Sequence, residues 1–280
     1  MNLFNKIFAY IKITRPLNVV ITFCVVVVAI FIAQESSTEI RFIVLASLAA
    51  ALITAAGNVI NDVYDIETDK ISHPKRVLPL GMLTKTEAKI EYISLNIIAG
   101  IISINLSRTL FVIVSISAFL LLVYSAYLKK IMLIGNITIA TLTGLAFIYG
   151  GFAVENPEAA IIPAVFAFLL NLIREIVKDV QDEEGDKKQN IITYPVKYGI
   201  DSAKKLATII TIILIAFTFY PFLAHIYKIE YFVIVMIFVN PVSVLCIKNL
   251  LQKKETNIAL VSNLLKLNMI TGLIAIYFGH

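Results

Sequence analysis

The chain has no tryptophan, two cysteines and three histidines in 280 residues, and only 15% of its residues are charged. Each shortage excludes something. Cys24 and Cys246 both lie inside apolar runs, so neither a disulfide nor a cysteine-based metal framework is expected. With 59% hydrophobic residues and a mean hydropathy of +0.88, the chain has too little polar surface for a soluble domain of this length. Low-complexity segments and compositional boundaries are also missing, so residues 1–280 read as a single domain.

Long apolar runs, by contrast, are abundant. A bilayer core about 30 Å thick takes roughly 20 helical residues per crossing. Nine windows qualify, at about 17–34, 40–62, 90–107, 109–128, 133–153, 158–178, 205–225, 230–250 and 257–278. Lys6, Lys12 and Arg15 precede the first window. Because eight more windows follow, it reads as a retained span and not as a signal peptide. The expected class is all-α, a polytopic membrane protein of nine transmembrane helices.

The basic residues alternate between the two sides of these spans. One side holds nineteen: Lys6, Lys12 and Arg15; Lys70, Lys75, Arg76, Lys85 and Lys89; Lys129 and Lys130; Lys178, Lys187, Lys188, Lys197, Lys204 and Lys205; and Lys248, Lys253 and Lys254. The other side holds Arg41, Arg108 and Lys228. Lys/Arg excess marks cytoplasmic loops, which predicts a cytoplasmic N-terminus and places His280 outside. The net charge of +5 then reflects topology and contact with anionic membrane lipid, and no nucleic-acid partner is implied.

Two cytoplasmic connections are long, at about 66–89 and 179–204. Long loops in a compact protein are usually functional or disordered. Turn signals at His73-Pro74, Pro79-Leu80-Gly81 and Tyr194-Pro195 favour order, and LTKTEAKI reads as a helix start capped by Thr84 or Thr86. NVINDVYDIETDK, residues 58–70, leads from the end of the second span into the first long connection, and its first carboxylate, Asp62, follows twenty residues (42–61) without a charge. Asp62, Asp65 and Asp69 are spaced 0, 3 and 7 there, and Asp179, Asp182 and Asp186 repeat that spacing at the end of the sixth span.

Residues i, i+3 and i+7 share one face of a helix, so each triplet predicts a stripe of carboxylates. Asn61 extends the first stripe, four residues before Asp65. Carboxylates at a helix C-terminus meet the negative end of the dipole, repel one another and suffer from nearby lipid. A cation would resolve all three conflicts. Oxygen ligands without histidine or cysteine point to Mg²⁺ and away from zinc. The metal ligands are therefore expected among Asn61, Asp65, Asp69, Asp179, Asp182 and Asp186. Two such stripes facing each other would hold Mg²⁺ on a diphosphate. Arg76, Lys129, Lys130, Arg174 and Lys178 are the candidate phosphate-binding cations. Lys129 and Lys130 also suit a simple membrane anchor, whereas Arg174, within an apolar span, needs a partner. Glu175, next in sequence, is expected to face elsewhere.

These residues resemble the UbiA-type intramembrane prenyltransferases. Asn61, Asp65 and Asp69 fit the family's N-x-x-x-D-x-x-x-D pattern, and Asp182 and Asp186 fit its D-x-x-x-D pattern. ITRPLN at 13–18 is similar to the family's N-terminal Arg-Pro signature, and YSAYLKKIMLIGN at 124–136 to its tyrosine–lysine segment. In the first long loop the chain departs from the family's Arg-Pro-Leu, with Lys75-Arg76-Val77-Leu78-Pro79-Leu80. The resemblance implies a central cavity capped by the cytoplasmic loops. It implies Mg²⁺-assisted ionisation of a polyprenyl diphosphate, with Asp62, Asp65 and Asp182 as catalytic carboxylates. It also implies Arg15, Asn18, Arg76, Tyr124, Lys129, Arg174 and Lys178 as substrate-binding residues. Within the family, REIVKDVQDEEGDKK and KRVLPLGMLT most resemble the archaeal digeranylgeranylglyceryl phosphate synthases. Those enzymes transfer a geranylgeranyl group to a glyceryl ether phosphate.

Three other readings compete. Soluble prenyl synthases use the same aspartate chemistry, but the hydropathy excludes them. CDP-alcohol phosphotransferases need glycine and Ala-Arg positions that this chain lacks. A membrane transporter would carry its acids near the midplane, whereas these cluster at one face. An aromatic acceptor remains the alternative within the family.

Overall fold

The computed structural model describes residues 3–188, 191–252 and 257–280. Lys253 and Lys254, counted above among the basic loop residues, lie outside the described residues. Among those described, every regular element is helical. In order they are α1 (Leu3–Ile13), α2 (Pro16–Ala33), α3 (Ile40–Tyr64), α4 (Ile66–Ser72), α5 (Lys85–Leu106), α6 (Arg108–Ala126), α7 (Ile134–Ala153), α8 (Ile161–Lys188), α9 (Tyr194–Tyr198), α10 (Ile200–Leu223), α11 (Ile229–Ile234), α12 (Asn240–Leu250) and α13 (Ile258–Gly279). Nine helical stretches among the described residues are long and apolar enough to cross a membrane, one in each window read from the sequence. The chain is a multi-pass membrane protein.

The helices group into two compact units, residues 1–129 with 146–160, and residues 130–145 with 161–280. In the first unit α3 is the central helix, packed by α2, α5 and α6. Its buried face is built from small residues, among them Ala46, Ala49, Ala55, Ala56 and Gly57, which let helices approach closely where lipid offers no hydrophobic drive. Near its C-terminal end, Val59, Ile60 and Val63 pack with Ala9 and Ile13 of α1 and with Val77, Leu78 and Leu83 of the first long loop. That contact is what orders the loop. The loop ends in a capping box: Thr84 accepts from the Glu87 backbone N–H while the Glu87 carboxylate accepts from the Thr84 N–H. Lys6 of α1 reaches the same Glu87 at 2.5 Å, and this hydrogen bond raises the ammonium above its ordinary range. Helix α1 was not anticipated from sequence; its eleven residues are too few for a span.

In the second unit α8 packs against α10 and α13, and α11–α12 packs against α13. Helix α8 has 28 residues, about 42 Å at 1.5 Å per residue. It is longer than the bilayer core is thick. Residues 179–188, read from sequence as the start of a long loop, therefore continue the helix. Between α11 and α12 the Asn240 N–H reaches back five residues to the Val235 carbonyl. This widened turn stands beside Pro241, which has no N–H and crowds the carbonyl of the preceding turn. Gly144 of α7 fits closely against α8: a Cβ there would sit 2.8 Å from the Ala164 carbonyl oxygen. Backbone cannot yield as a side chain can, so Gly144→Ala is expected to destabilise the protein by about 1–3 kcal/mol. A fall in the detergent melting temperature checks this; an unchanged value would contradict the close approach.

Candidate active site

The first acidic segment lies where α3 ends. It does not form one continuous helical stripe, as the spacing suggested. Helix α3 stops at Tyr64, Asp65 takes φ −93° and ψ 5°, and α4 begins at Ile66. Asp62 therefore belongs to α3 and Asp69 to α4. The i→i−4 pattern still bridges the break, since the Asp65 N–H donates to Asn61 and the Asp69 N–H to Asp65. The three carboxylates stay close to one another along the chain despite the bend.

Each carboxylate meets a cation from elsewhere in the same unit. Arg15 Nη2 lies 2.5 Å from Asp62 Oδ1. Arg76 Nη1 lies 2.7 Å and 2.6 Å from the two Asp69 oxygens and 3.5 Å from Asp62 Oδ1. Lys129, in a single turn at Leu128–Lys130 after α6, pairs with Asp65 Oδ1. Asn61 Nδ2 donates to the other Asp65 oxygen at 2.9 Å. Asp62 and Asp69 are only 3% and 2% exposed, so without these cations they would be uncompensated buried charges, Asp62 also standing at the negative end of α3. Arg15 is held in place by backbone geometry. It has φ 53° and ψ 71°, a left-handed conformation that non-glycine residues adopt at a cost of about 1 kcal/mol or more. Asn58 of α3 donates to the adjoining Thr14 carbonyl at 2.8 Å. That bond anchors the α1–α2 corner to α3 and so aims Arg15 at Asp62.

The second acidic segment is organised differently. Asp179, Asp182 and Asp186 lie on the unbroken α8, and there the predicted stripe holds. Asp179 Oδ2 accepts from Asn136 Nδ2 at 2.8 Å. Asp186 Oδ2 accepts from the Thr193 hydroxyl at 3.2 Å. Asp182 is exposed. None of the three pairs with a cation among the described residues. Three cations of α8 lie against glutamates: Arg174 Nη1 is 3.4 Å and Lys178 Nζ 3.9 Å from Glu175, and Lys187 pairs with Glu183. The expectation that Glu175 faces away from Arg174 is thus corrected. Glu175 is the partner that an arginine inside an apolar span requires.

Among the remaining candidates, Tyr124 is half-buried in the last turn of α6, Asn18 is exposed at the start of α2 and Lys130 is exposed. Asn58, Asn136 and Thr193 were missed as positioning residues. Asn58 and Asn136 stand inside the quoted motifs, but their partners Thr14 and Asp179 lie 44 and 43 positions away, which no local spacing shows. Thr193 gave no signal in the sequence.

The UbiA prenyltransferase family matches residues 20–270. The chain belongs to this family. It is 34% identical to a digeranylgeranylglyceryl phosphate synthase of Methanosphaera stadtmanae, over 96% of this chain and 98% of that protein. It is also 34% identical to a digeranylgeranylglyceryl phosphate synthase of Saccharolobus solfataricus, over 97% and 96% of the two chains. A solved structure described as giving structural and mechanistic insight into digeranylgeranylglyceryl phosphate synthase in membranes superposes with TM-score 0.83, at 31% identity and 98% coverage of both chains. A UbiA homologue from Archaeoglobus fulgidus, solved with DMAPP and Mg²⁺, shares the fold at TM-score 0.70 and 21% identity, covering 95% of this chain and 98% of that one.

Family membership makes this chain a prenyltransferase and sets transport aside. The donor set suits Mg²⁺ by its chemistry, being carboxylate and amide oxygen throughout. Among the described residues, however, no group of three acidic, histidine or cysteine side chains converges as it stands on one point fit for a metal. This does not conflict with the UbiA donor set. Mg²⁺ is usually held by one or two carboxylates and completes its octahedron with water and substrate phosphate.

Proposed function

We propose that this UbiA-family chain transfers a geranylgeranyl group from geranylgeranyl diphosphate to the free hydroxyl of geranylgeranylglyceryl phosphate, with Mg²⁺ as cofactor. The carbon–oxygen bond of the diphosphate ester breaks and diphosphate leaves with the electron pair. The acceptor hydroxyl oxygen bonds to the allylic carbon and releases its proton. Bound Mg²⁺ withdraws charge from the departing diphosphate. The observation that carries this reading is the pairing of one aspartate segment with Arg15, Arg76 and Lys129. These are cations that a diphosphate can claim through charge-assisted hydrogen bonds. The near full-length identity to proteins called digeranylgeranylglyceryl phosphate synthase supports the choice of acceptor.

In this reading Asn61, Asp65, Asp69, Asp179, Asp182 and Asp186 hold the metal, and Asp62, Asp65 and Asp182 are the catalytic carboxylates. Arg15, Arg76, Lys129 and Tyr124 serve the prenyl diphosphate. Asn18, Arg174 and Lys178 serve substrate placement, and residues 1–280 act as one functional domain. Purified protein with geranylgeranyl diphosphate and Mg²⁺ is expected to consume geranylgeranylglyceryl phosphate and leave 4-hydroxybenzoate untouched. Transfer to 4-hydroxybenzoate alone would replace the lipid acceptor with an aromatic one.

The N-terminus and both acidic segments are proposed to be cytoplasmic, on the strength of the Lys/Arg asymmetry. Lys187 is more than half exposed, so a cysteine there can be reached by a reagent. In a background lacking Cys24 and Cys246, Lys187→Cys is expected to resist an impermeant maleimide in intact cells and to react after lysis. Labelling in intact cells would reverse the topology.

A further inference from the structure

The two acidic segments have the same spacing and opposite electrostatic settings. In the first, three carboxylates meet three cations of the chain: Asp62 with Arg15, Asp69 with Arg76, and Asp65 with Lys129. The oxygens that would ligate a metal are the ones these cations hold. In the second, among the described residues, Asp179 and Asp186 accept from the neutral donors Asn136 and Thr193, and Asp182 is exposed. Lys178 acts on Asp179 and Asp186 as a nearby charge without an ion-pair contact, and Arg174, Lys178 and Lys187 lie against Glu175 and Glu183.

We infer that the two segments are unequal metal sites: Asp179, Asp182 and Asp186 take a divalent ion first, while Asp65 and Asp69 stay closed by Lys129 and Arg76 until an anion draws those cations away. The reason is competition for the same oxygens. A divalent ion arriving at the second segment displaces weak neutral hydrogen bonds, breaks no ion pair among the described residues, and relieves repulsion among the three carboxylates. At the first segment it must displace an arginine or a lysine from a close ion pair, a cost that the second segment does not carry. A diphosphate removes that penalty by accepting the released cations through charge-assisted hydrogen bonds. The first segment is therefore linked to the anion: each raises the other's affinity by the same factor. Only this release step rests on the prenyl-diphosphate reading. The inequality of the two segments does not.

The test is metal content after equilibrium dialysis in detergent, with Mn²⁺ as the probe and with or without inorganic pyrophosphate. The unmodified protein is expected to hold one Mn²⁺ per chain without pyrophosphate. Asp182→Asn should abolish that binding and Asp65→Asn should leave it. Pyrophosphate should add a second ion, lost in Asp65→Asn. The discriminating variants are Lys129→Met and Arg76→Gln, checked for fold by melting temperature and monodispersity. Each removes a competing cation, so each is expected to tighten the second ion at least tenfold without pyrophosphate, a gain of binding that general damage would not produce. Two ions of equal affinity without pyrophosphate, loss of the first ion in Asp65→Asn alone, or no gain in either variant would overturn the inequality. Failure of pyrophosphate to add an ion would overturn the release step. The acceptor assay with geranylgeranyl diphosphate tests the reaction separately, so a failure there and a failure here are distinguishable.

Discussion

Asp65→Ala and Asp182→Ala each lower turnover by about 10³-fold, the scale on which removal of one preorganised electrostatic group acts on a charged transition state. Both proteins remain folded. Asp182 is exposed and supports no neighbour among the described residues. Asp65 is partly exposed, and among the described residues its carboxylate meets Lys129 and Asn61, at a bend between helices. Negative charge builds on the diphosphate as the carbon–oxygen bond breaks, so groups that neutralise it act more strongly on the transition state than on the ground state. Turnover should therefore fall in both, and chelation of divalent metal should reproduce the loss of turnover. Asp182→Ala should keep a melting temperature close to that of the unmodified protein, whereas Asp65→Ala should lower it somewhat because it takes an ion-pair partner from the largely buried Lys129. Full activity in chelator, or an active Asp65→Ala protein, would sink the metal-dependent reading.

Arg76→Ala damages stability as well as activity. Its guanidinium contacts both oxygens of Asp69 and lies 3.5 Å from Asp62, and both carboxylates are nearly sealed from solvent. Breaking a buried ion pair from one side costs about 3–5 kcal/mol. Arg76 itself is 28% exposed, and solvent screening reduces the expectation to about 2 kcal/mol. The signature is in the double variant. Asp69→Ala combined with Arg76→Ala removes the stranded charge and is expected to recover more than half of the stability lost in Arg76→Ala alone. Arg76→Lys should fall between, because one ammonium cannot reproduce the geometry of a guanidinium over two carboxylates. Equal melting temperatures for Arg76→Ala and the double variant would show that the pair contributes no coupling.

Both predictions concern residues that the sequence already singled out, for reasons the fold supports unevenly. The nine spans were legible because crossing a bilayer demands about 20 apolar residues in a row, a condition met or failed within each window. The helix start after Gly81 was legible for the same reason, with Thr84 or Thr86 as its cap, and the structure selects Thr84. So was the carboxylate stripe of α8, where helical periodicity continues unbroken. The matching stripe at Asp62–Asp69 was only half legible. The spacing was right, but packing of the first long loop against α1 and α3 bends the backbone at Asp65.

What tertiary structure alone decided is which cation answers which acid. Arg15 and Asp62 are 47 positions apart, Lys129 and Asp65 are 64 apart, and Asn136 and Asp179 are 43 apart. No local period links such pairs. They depend on where one helix ends against another and on a left-handed turn at Arg15 that a hydrogen bond from Asn58 stabilises. Sequence counts charges along the chain, whereas Coulomb interaction depends on distance through space. The difference between two acidic segments of identical spacing, one closed by cations and the other open, therefore emerges only when the helices are packed.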